Sequence, residues 1–349
     1  MPRPGEPLAR MGFLTIGLFD EHDPLAGHET TLKIIETAEQ LGFDSVWLRD
    51  RHLQYGISSP VAVLAAATQR TSRIELGTAV IPLGLENPFR LAEDLATVDI
   101  LSHGRLNPGV SVGPPMRYET FKTKLYPDSH DVEDFSKQRV VRLLEFLRGD
   151  PVTDFEGTVG IEEFSRRIQP HSPGLADRLW YGGGLSSATW TGEQGLNYLT
   201  SSVTSIDGHD HDGTHPGDFA LVQAEQIDAY RTAYSAAHPD KAPGRVSQGL
   251  VVIPTDSATP EQKRKYEAYA AGRLERTRSP QGPRRMLFSP DLVGDSDQLA
   301  ETLINHAAYQ RVDEVAFALP FSFTESDYLQ IITDMADHLG PALGWTAKQ

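Results

Sequence analysis

Residues Ile74–Gly113 read IELGTAVIPLGLENPFRLAEDLATVDILSHGRLNPGVSVG. The apolar, β-branched run Ile74–Ile81 predicts a strand. Asn87 followed by Pro88 predicts a helix start, because Asn caps free N–H groups and Pro is tolerated at the first helical position. Gly104 suits the left-handed position that closes a helix.

A second extended run, Leu106–Val112, follows this helix directly. A strand, a helix and another strand in this order form a βαβ unit, whose two strands are parallel in one sheet. Sheets of this kind bind their ligands at the carboxyl ends of the strands. We therefore expect the functional residues to follow the strands of this chain.

The same alternation extends over the whole chain. The predicted strands are Phe13–Phe19, Asp44–Leu48, Ile74–Ala79, Leu106–Val112, Leu179–Gly182, Leu196–Thr200, Val246–Ile253 and Glu314–Ala318. The other predicted helices are His28–Leu41, Val61–Thr71, Asp134–Arg148, Ser187–Gln194, Phe219–Ala237, Pro260–Arg276, Asp297–Tyr309 and Glu325–Leu339. Strands that are each followed by a helix predict an α/β fold of the (β/α)8 TIM-barrel type, with an open doubly wound sheet as the alternative.

No linker or repeat divides the chain, so we expect one domain over residues 1–349. Four stretches are longer than ordinary connections and are expected to form insertion loops or a lid at the carboxyl face of the barrel. They are residues 113–132, 149–173, 201–218 and 276–292.

Composition excludes several classes of function. The chain has 32 basic and 48 acidic residues, a formal charge of −16, which argues against a nucleic-acid or anionic-membrane surface. There is no cysteine, so disulfides, thiolate metal sites and cysteine nucleophiles are excluded. With no stretch of signal-peptide or membrane-spanning character, a cytoplasmic protein is expected.

The segment LWYGGGLSS, Leu179–Ser187, runs from a strand through three glycines into two hydroxyl residues at a helix start. Glycines let backbone N–H groups approach an oxyanion, and the helix N-terminus adds free donors and a positive dipole. The segment matches neither the P-loop nor the GxGxxG spacing. It predicts a phosphate site, with a plain capped turn as the alternative.

Together these segments resemble the bacterial luciferase-like, flavin-dependent monooxygenase family, whose members adopt a TIM-type barrel. The resemblance runs from about Phe13 to Leu339 and keeps the family's order of motifs. The segments that show the resemblance are AEQLGFDSVWLRDRH (Ala38–His52), the segment Ile74–Arg105, WYGGGLSSATWTGEQGL (Trp180–Leu196) and LVGDSDQLAETL (Leu292–Leu303).

The resemblance implies a set of cofactor-binding residues. It implies that Ala79–Val80 is a non-prolyl cis peptide against the flavin ring, where an ordinary trans bond is the alternative. It places Ser111 and Val112 near the flavin edge. It assigns the 5′-phosphate to Gly183, Gly184, Leu185, Ser186 and Ser187.

Asp50 falls where the luciferases carry a glutamate beside the cofactor. His52 is the candidate general acid/base, because imidazole titrates near neutral pH, and Asp50 would orient it or touch the flavin. The alternative is that Asp50, Arg51 and His52 form a structural salt-bridge set. Phe19 is expected to form a wall of the ring and substrate pocket, or else to pack in the core.

The chain departs from the luciferases at two of these positions. Arg51 replaces the first histidine of a pair that serves light emission, so bioluminescence is not expected. Val112 replaces an arginine that contacts the flavin, so the anchoring of the cofactor must differ. Arg139 is a candidate for holding the phosphate, with a solvated or salt-bridged helix residue as the alternative.

Two polar segments have competing interpretations. The stretch IDGHDHDGTHPGD clusters His209, His211 and His215 with aspartates, but it is glycine-rich and has no scaffold to order ligands, so we expect a solvated loop and no metal site. The basic stretch Arg273–Arg285 belongs to the lid and either closes over an anion or is flexible.

The function expected from this resemblance is a monooxygenase that uses reduced FMN and O2 on a small organic substrate. No nicotinamide site is apparent, so a separate NAD(P)H:flavin reductase is expected, and the family implies a homodimer. An F420-dependent oxidoreductase that transfers a hydride is the first alternative. A non-catalytic flavin-binding protein is the second.

Overall fold

The computed structural model describes residues 6–206, 218–282 and 284–348. Its α-helices there are α1 (Pro24–Gln40), α2 (Pro60–Thr68), α3 (Pro88–Leu101), α4 (Lys122–Leu125), α5 (Gln138–Arg148), α6 (Leu185–Glu193), α7 (Phe219–Ala237), α8 (Pro260–Arg273), α9 (Ser296–Ile304), α10 (Glu325–Asp334) and α11 (Gly340–Ala342).

The strands of the same residues number sixteen. They are β1 (Arg10–Thr15), β2 (Ser45–Leu48), β3 (Glu75–Thr78), β4 (Ile81–Pro82), β5 (Leu106–Asn107), β6 (Gly109–Ser111), β7 (Gly157–Val159), β8 (Glu162–Phe164), β9 (Trp180–Gly182), β10 (Asn197–Leu199), β11 (Val203–Ser205), β12 (Val246–Gln248), β13 (Val252–Pro254), β14 (Met286–Phe288), β15 (Leu292–Gly294) and β16 (Glu314–Ala318).

Ten of these strands form one curled sheet, in the order β4-β6-β9-β10-β12-β16-β1-β2-β3-β5. Every pair in it is parallel, and the last strand of the chain, β16, lies beside the first, β1. A doubly wound sheet does not place these two strands side by side, so the alternative fold is not supported. The α/β class and the parallel sheet are confirmed.

The sheet has ten segments, more than the eight strands expected, because the third and fourth predicted strands are each broken in two. Pro108 separates β5 from β6, and proline has no N–H to donate to a neighbouring strand. The first strand is also shorter than expected. It ends at Thr15, since Gly17 has a φ of +56°, which turns the chain out of the sheet before Phe19.

Helix α3 begins and ends as its sequence predicts. The Asn87 side-chain oxygen accepts from the N–H of Phe89 at 2.9 Å, and Pro88 is the first helical residue. Past the end of the helix Gly104 has a φ of +81° and donates its N–H to the Asp99 carbonyl at 2.9 Å. Local sequence therefore sets both ends of the connection between the third and fourth strands.

Aromatic side chains fill the middle of the sheet's concave side. Trp47 and Trp180 pack edge to face, with ring centroids 5.1 Å apart, together with Leu199 and Ala316. Both indoles are hydrogen-bonded, Trp47 to the Ser45 hydroxyl at 3.0 Å and Trp180 to the side chain of a neighbouring strand. This cluster, from β2, β9, β10 and β16, forms a floor beneath the carboxyl ends of the strands.

Charged residues close the opposite, amino-terminal end of the sheet. Arg245 contacts Glu75 and Glu314, each at 2.9 Å, and Arg10 also pairs with Glu75 at 2.6 Å. Burial raises the pKa of Glu314 to about 7, although the two arginines oppose this shift. The carboxyl ends of the strands are therefore left as the open end.

The long loops differ in where they lie. In residues 149–173, β7 and β8 form a hairpin that does not line the cavity described below. Part of residues 201–218 and part of 276–292 join each other, because β11 pairs antiparallel with β14. No helix in the described ranges combines the length and apolar character that membrane crossing requires.

Candidate active site

A cavity of about 720 Å³ opens at the carboxyl ends of the parallel strands. Its floor includes Leu14 and Leu199, near the carboxyl ends of β1 and β10, and Ala316 in the middle of β16. Leu199 and Ala316 belong to the tryptophan cluster. The predicted site residues that line it are Asp50, His52, Ala79, Val80, Gly183, Gly184, Leu185 and Ser186. The structure thus brings eight of the predicted residues to one cavity, although they come from three separate parts of the chain.

Asp50 and His52 face each other directly after β2. The Nε2 atom of His52 lies 3.2 Å from Oδ1 of Asp50, whose side chain is only 1% exposed. The angles are not those of a directed hydrogen bond, so both Asp50 oxygens and His52 Nε2 are buried without a bonded partner among the described residues. Buried polar atoms of this kind need a partner, and here they lie in the wall of a cavity.

The polar contact with Asp50 raises the pKa of His52 above that of a free histidine, against the effect of burial. The negative charge of Glu86 adds to this rise. Burial in turn raises the pKa of the Glu86 carboxyl, and the charge of Asp50 raises it further. The carboxylates of Asp50 and Glu86 thus favour the protonated form of His52, which suits proton donation into the cavity.

The other end of the cavity is formed by the start of α6. The first hydrogen bond of this helix runs from the Ser187 N–H to the Gly184 carbonyl at 3.0 Å, so the N–H groups of Leu185 and Ser186 precede it. The buried Tyr198 hydroxyl donates to the Gly183 carbonyl at 2.6 Å. Tyr198 thereby holds the peptide that leads into the helix.

Glycine is required at one position of this turn. A Cβ on Gly183 would lie 2.5 Å from the Cβ of Ser187, closer than packed atoms approach. A Cβ on Gly184 would meet its nearest atom, the Ser205 carbonyl oxygen, at 3.6 Å, an ordinary contact. Helix α6 also begins at Leu185, two residues before the predicted start, with Gly184 as its cap.

The peptide bond between Ala79 and Val80 is cis, as the resemblance implies. It lies in the break between β3 and β4, and both residues line the cavity between Asp50 and the α6 turn.

Four predicted residues do not line this cavity. Ser187 lies beneath Gly183, and Ser111 ends β6 in register with Pro82. The backbone of Val112 forms a hydrogen bond with the Tyr181 hydroxyl. The fourth of these residues is Phe19.

Phe19 stacks on His28, with ring centroids 5.3 Å apart, and packs edge to face on Tyr55. Phe19 therefore does not form the expected pocket wall, because the early end of β1 moves it away from the strand ends. Its half-buried ring does not belong to the buried core either.

Arg139 is also not at the phosphate position. Its guanidinium donates to the carbonyls of Leu83 and Glu86, both at 2.8 Å, and pairs with Glu133. The side chain is almost completely buried. The salt-bridged alternative is the correct one, and the role of Arg139 is to hold the 83–86 turn.

Residues of the segment 276–292 contribute to the same cavity. Met286 and Arg284 line it, and Ser205 of β11 donates its hydroxyl to the Arg284 carbonyl at 3.0 Å. The earlier part of the basic stretch is anchored: Arg273 and Arg276 both pair with the buried Asp291. Of the histidine-rich cluster, residues 207–217 lie outside the described residues.

Much of the cavity wall was not predicted from the sequence. Arg49 directly follows the second predicted strand and Ala318 ends the eighth, so their positions alone marked them as candidates. Other wall residues lie outside the parallel sheet, such as Leu53, Met116 and Met286 of β14. Nothing in the local sequence predicts these, because the pairing of β11 with β14 is long-range.

Comparisons with known proteins agree with this arrangement. The model of the family described as luciferase-like monooxygenase matches residues 11–259. Limonene 1,2-monooxygenase of Rhodococcus erythropolis is 40% identical over 85 residues, 24% of this chain and 22% of that protein. F420-dependent glucose-6-phosphate dehydrogenase of Amycolatopsis mediterranei is 28% identical over 174 residues, 47% of this chain and 51% of that protein.

Among solved structures, the oxygenating constituent of 3,6-diketocamphane monooxygenase from Pseudomonas putida, in complex with FMN, has the same fold. Its TM-score is 0.64 at 14% identity, over 96% of this chain and 98% of that chain. The chain aligns with only about a quarter to a half of the length of the curated relatives it matches. Because the family match covers well over half of the sequence, the protein belongs to the luciferase-like monooxygenase family of enzymes.

Proposed function

We propose that this protein is a flavin-dependent monooxygenase that binds reduced FMN in its cavity and uses O2 to oxygenate a small organic substrate. The observation that carries the proposal is the joining, in one cavity, of the Asp50–His52 pair with the glycine–serine start of α6. A proton donor thus faces the same space as a set of free N–H donors.

The residues present fit a phosphorylated ring cofactor. A helix start with free N–H groups at Leu185 and Ser186 suits a phosphate, and Gly183 has no room for a side chain. The segment Ala79–Val80 supplies an apolar wall for a flat ring. We include Ser111, Val112 and Ser187 in the proposed cofactor-binding set because they are neighbours of the residues that would contact the cofactor.

Reduced FMN, when bound, would supply the electrons that activate O2. His52 would supply a proton to the reaction, and the contact with Asp50 favours the protonated imidazole. Apolar residues around the cavity, such as Leu85 and Phe121, exclude water from the reacting groups.

The first test is equilibrium binding of FMN and of riboflavin, which lacks the phosphate, followed by flavin fluorescence. We expect FMN to bind at least about tenfold more tightly, since hydrogen bonds to a charged group are strong. Ser186→Ala should reduce this ratio, whereas Ser326→Ala, at an exposed position of α10, should not. Equal affinity for FMN and riboflavin would refute the phosphate site.

The second test is turnover with NAD(P)H and a separate flavin reductase, which we propose as the partner. Oxygen from isotopically labelled O2 should appear in the product of an accepted substrate. Oxygen consumption that never exceeds the rate of free reduced flavin, over a broad substrate panel, would favour the non-catalytic flavin-binding alternative.

Hydride transfer with F420 is the second candidate, favoured by the F420-dependent relative that aligns over 47% of this chain. F420 also presents a phosphate to the start of α6. Tight binding of F420 together with no affinity for FMN would establish this candidate in place of the first.

We also propose a closed (β/α)8 barrel, in which β3 with β4 and β5 with β6 each count as one broken strand. On this view residues 1–349 form one domain with residues 113–132, 149–173, 201–218 and 276–292 as insertions. We further propose a cytoplasmic homodimer. Measurement of its mass in solution will test the oligomeric state.

A further inference from the structure

The cavity wall has an unusual charge for this chain. It contains three arginines, Arg49, Arg51 and Arg284, but Asp50 is its single carboxylate within the described residues. The whole protein has the opposite balance, with 48 acidic and 32 basic residues. A cavity that is positive within a negative protein concentrates anions.

Arg49 and Arg51 lie at the end of the cavity that holds His52, on either side of Asp50 in the chain. Their backbones are fixed: the Arg49 N–H donates to the Thr15 carbonyl at 2.9 Å, and the Arg51 N–H to the Ile57 carbonyl at 2.7 Å. Neither guanidinium has an ion pair or hydrogen bond to any residue that the structure describes.

Both arginines are half-buried in the cavity wall, so water shields their charges only in part. Burial lowers the pKa of Arg49 to about 10, and the neighbouring charge of Arg51 lowers it further. Buried charges in proteins are normally paired, and a guanidinium offers donors in a fork that matches an oxyanion. Small residues of β16, Ala316 and Ala318, leave open space in the same cavity.

We propose that Arg49 and Arg51 bind an oxyanion, of the carboxylate class, on the organic substrate. This rests on the proposed function, and it names the class of substrate that the cavity accepts. It assigns the His52 end of the cavity to an anionic substrate and leaves the α6 end, with Arg284, to the cofactor phosphate. Arg51 takes this role where the luciferases have a histidine.

The test uses two pairs of probes with nearly the same shape and different charge: benzoate with benzamide, and octanoate with octanamide. Binding to the full-length protein without cofactor is measured by calorimetry at constant ionic strength. We expect each carboxylate to bind at least about tenfold more tightly than its amide. Arg49→Met should abolish this preference, and Arg49→Lys should retain part of it as a point charge.

Arg51→Met, tested separately, should also reduce the preference, which keeps the test valid if one variant fails to fold. Arg90→Met is the matched control, since Arg90 is an exposed residue of α3 outside the cavity. Equal binding of carboxylate and amide would overturn the proposal, as would a preference that persists without both arginines.

FMN affinity, measured on the same variants, separates this inference from the proposed function. If Arg49→Met weakens FMN binding and leaves the preference for benzoate intact, Arg49 serves the cofactor and the inference is wrong. If the wild-type protein binds benzoate through Arg49 but does not bind FMN, the proposed function fails while the anion site stands.

Discussion

Removal of one hydroxyl group, in Tyr198→Phe, tests whether the turn before α6 is held in place for a phosphate. The Tyr198 ring is fully buried and stacks on Tyr230, with centroids 5.3 Å apart, so phenylalanine fits the same space. The change deletes the 2.6 Å hydrogen bond to the Gly183 carbonyl. Gly183 is exposed, so water can replace the lost donor.

The expected cost follows from this geometry. A neutral hydrogen bond contributes about 1 kcal/mol, and this bond is only partly buried, which keeps the loss near that value. The free energy of unfolding, measured in urea, should therefore fall by about 1 kcal/mol. If the bond fixes the phosphate-binding turn, the dissociation constant of FMN should rise about fivefold, the equivalent of the same free energy.

Tyr230→Phe is the matched control. The Tyr230 hydroxyl is also buried and donates to the Leu196 carbonyl at 2.8 Å, away from the turn. It should lower stability by a similar amount and leave FMN affinity unchanged. If Tyr198→Phe binds FMN as tightly as the wild type, or if both variants weaken binding equally, the Tyr198 hydroxyl does not hold the turn for a phosphate.

Three further predictions concern stability and protonation. Asp50→Asn should lower the pKa of His52, measured by NMR titration, because the lost carboxylate stabilises the imidazolium form. Arg139→Met should lower the free energy of unfolding in urea by about 2–4 kcal/mol, since two carbonyls and a carboxylate lose their donor. Gly183→Ala should cost about 1–3 kcal/mol in the same assay through the clash at the start of α6, and Gly184→Ala clearly less.

Each of these predictions has an outcome that contradicts it. An unchanged or higher His52 pKa in Asp50→Asn would show that the 3.2 Å contact carries no charge stabilisation. A loss of the preference for FMN over riboflavin in Arg139→Met would indicate that Arg139 binds the phosphate. Equal destabilisation by alanine at positions 183 and 184 would mean that the close approach to Ser187 is not what requires glycine.

The helix and strand order was predictable because its signals are local. The cap at Asn87 and the turn at Gly104 each act within a few residues, and both appear where expected. The errors arose where one residue interrupts a run. Pro108 splits a strand, and Gly17 ends one before Phe19 reaches the cavity.

The candidate site divides in the same way. Asp50, His52 and the α6 turn were found because they directly follow predicted strands, and parallel strands bring their carboxyl ends together. For Arg139 the sequence left two interpretations open, since the direction of a helix side chain depends on the turn that packs against it, here residues 83–86.

By itself, the sequence determined the α/β class, the direction of the strands and the end of the sheet at which the cavity opens, because hydrophobic periodicity and caps are properties of short segments. Only the tertiary structure decided which charges meet in the cavity. It left Arg49 and Arg51 unpaired among the described residues and set Asp50 against His52. It also joined β11 to β14. Such contacts depend on distances between remote parts of the chain, which no local pattern records.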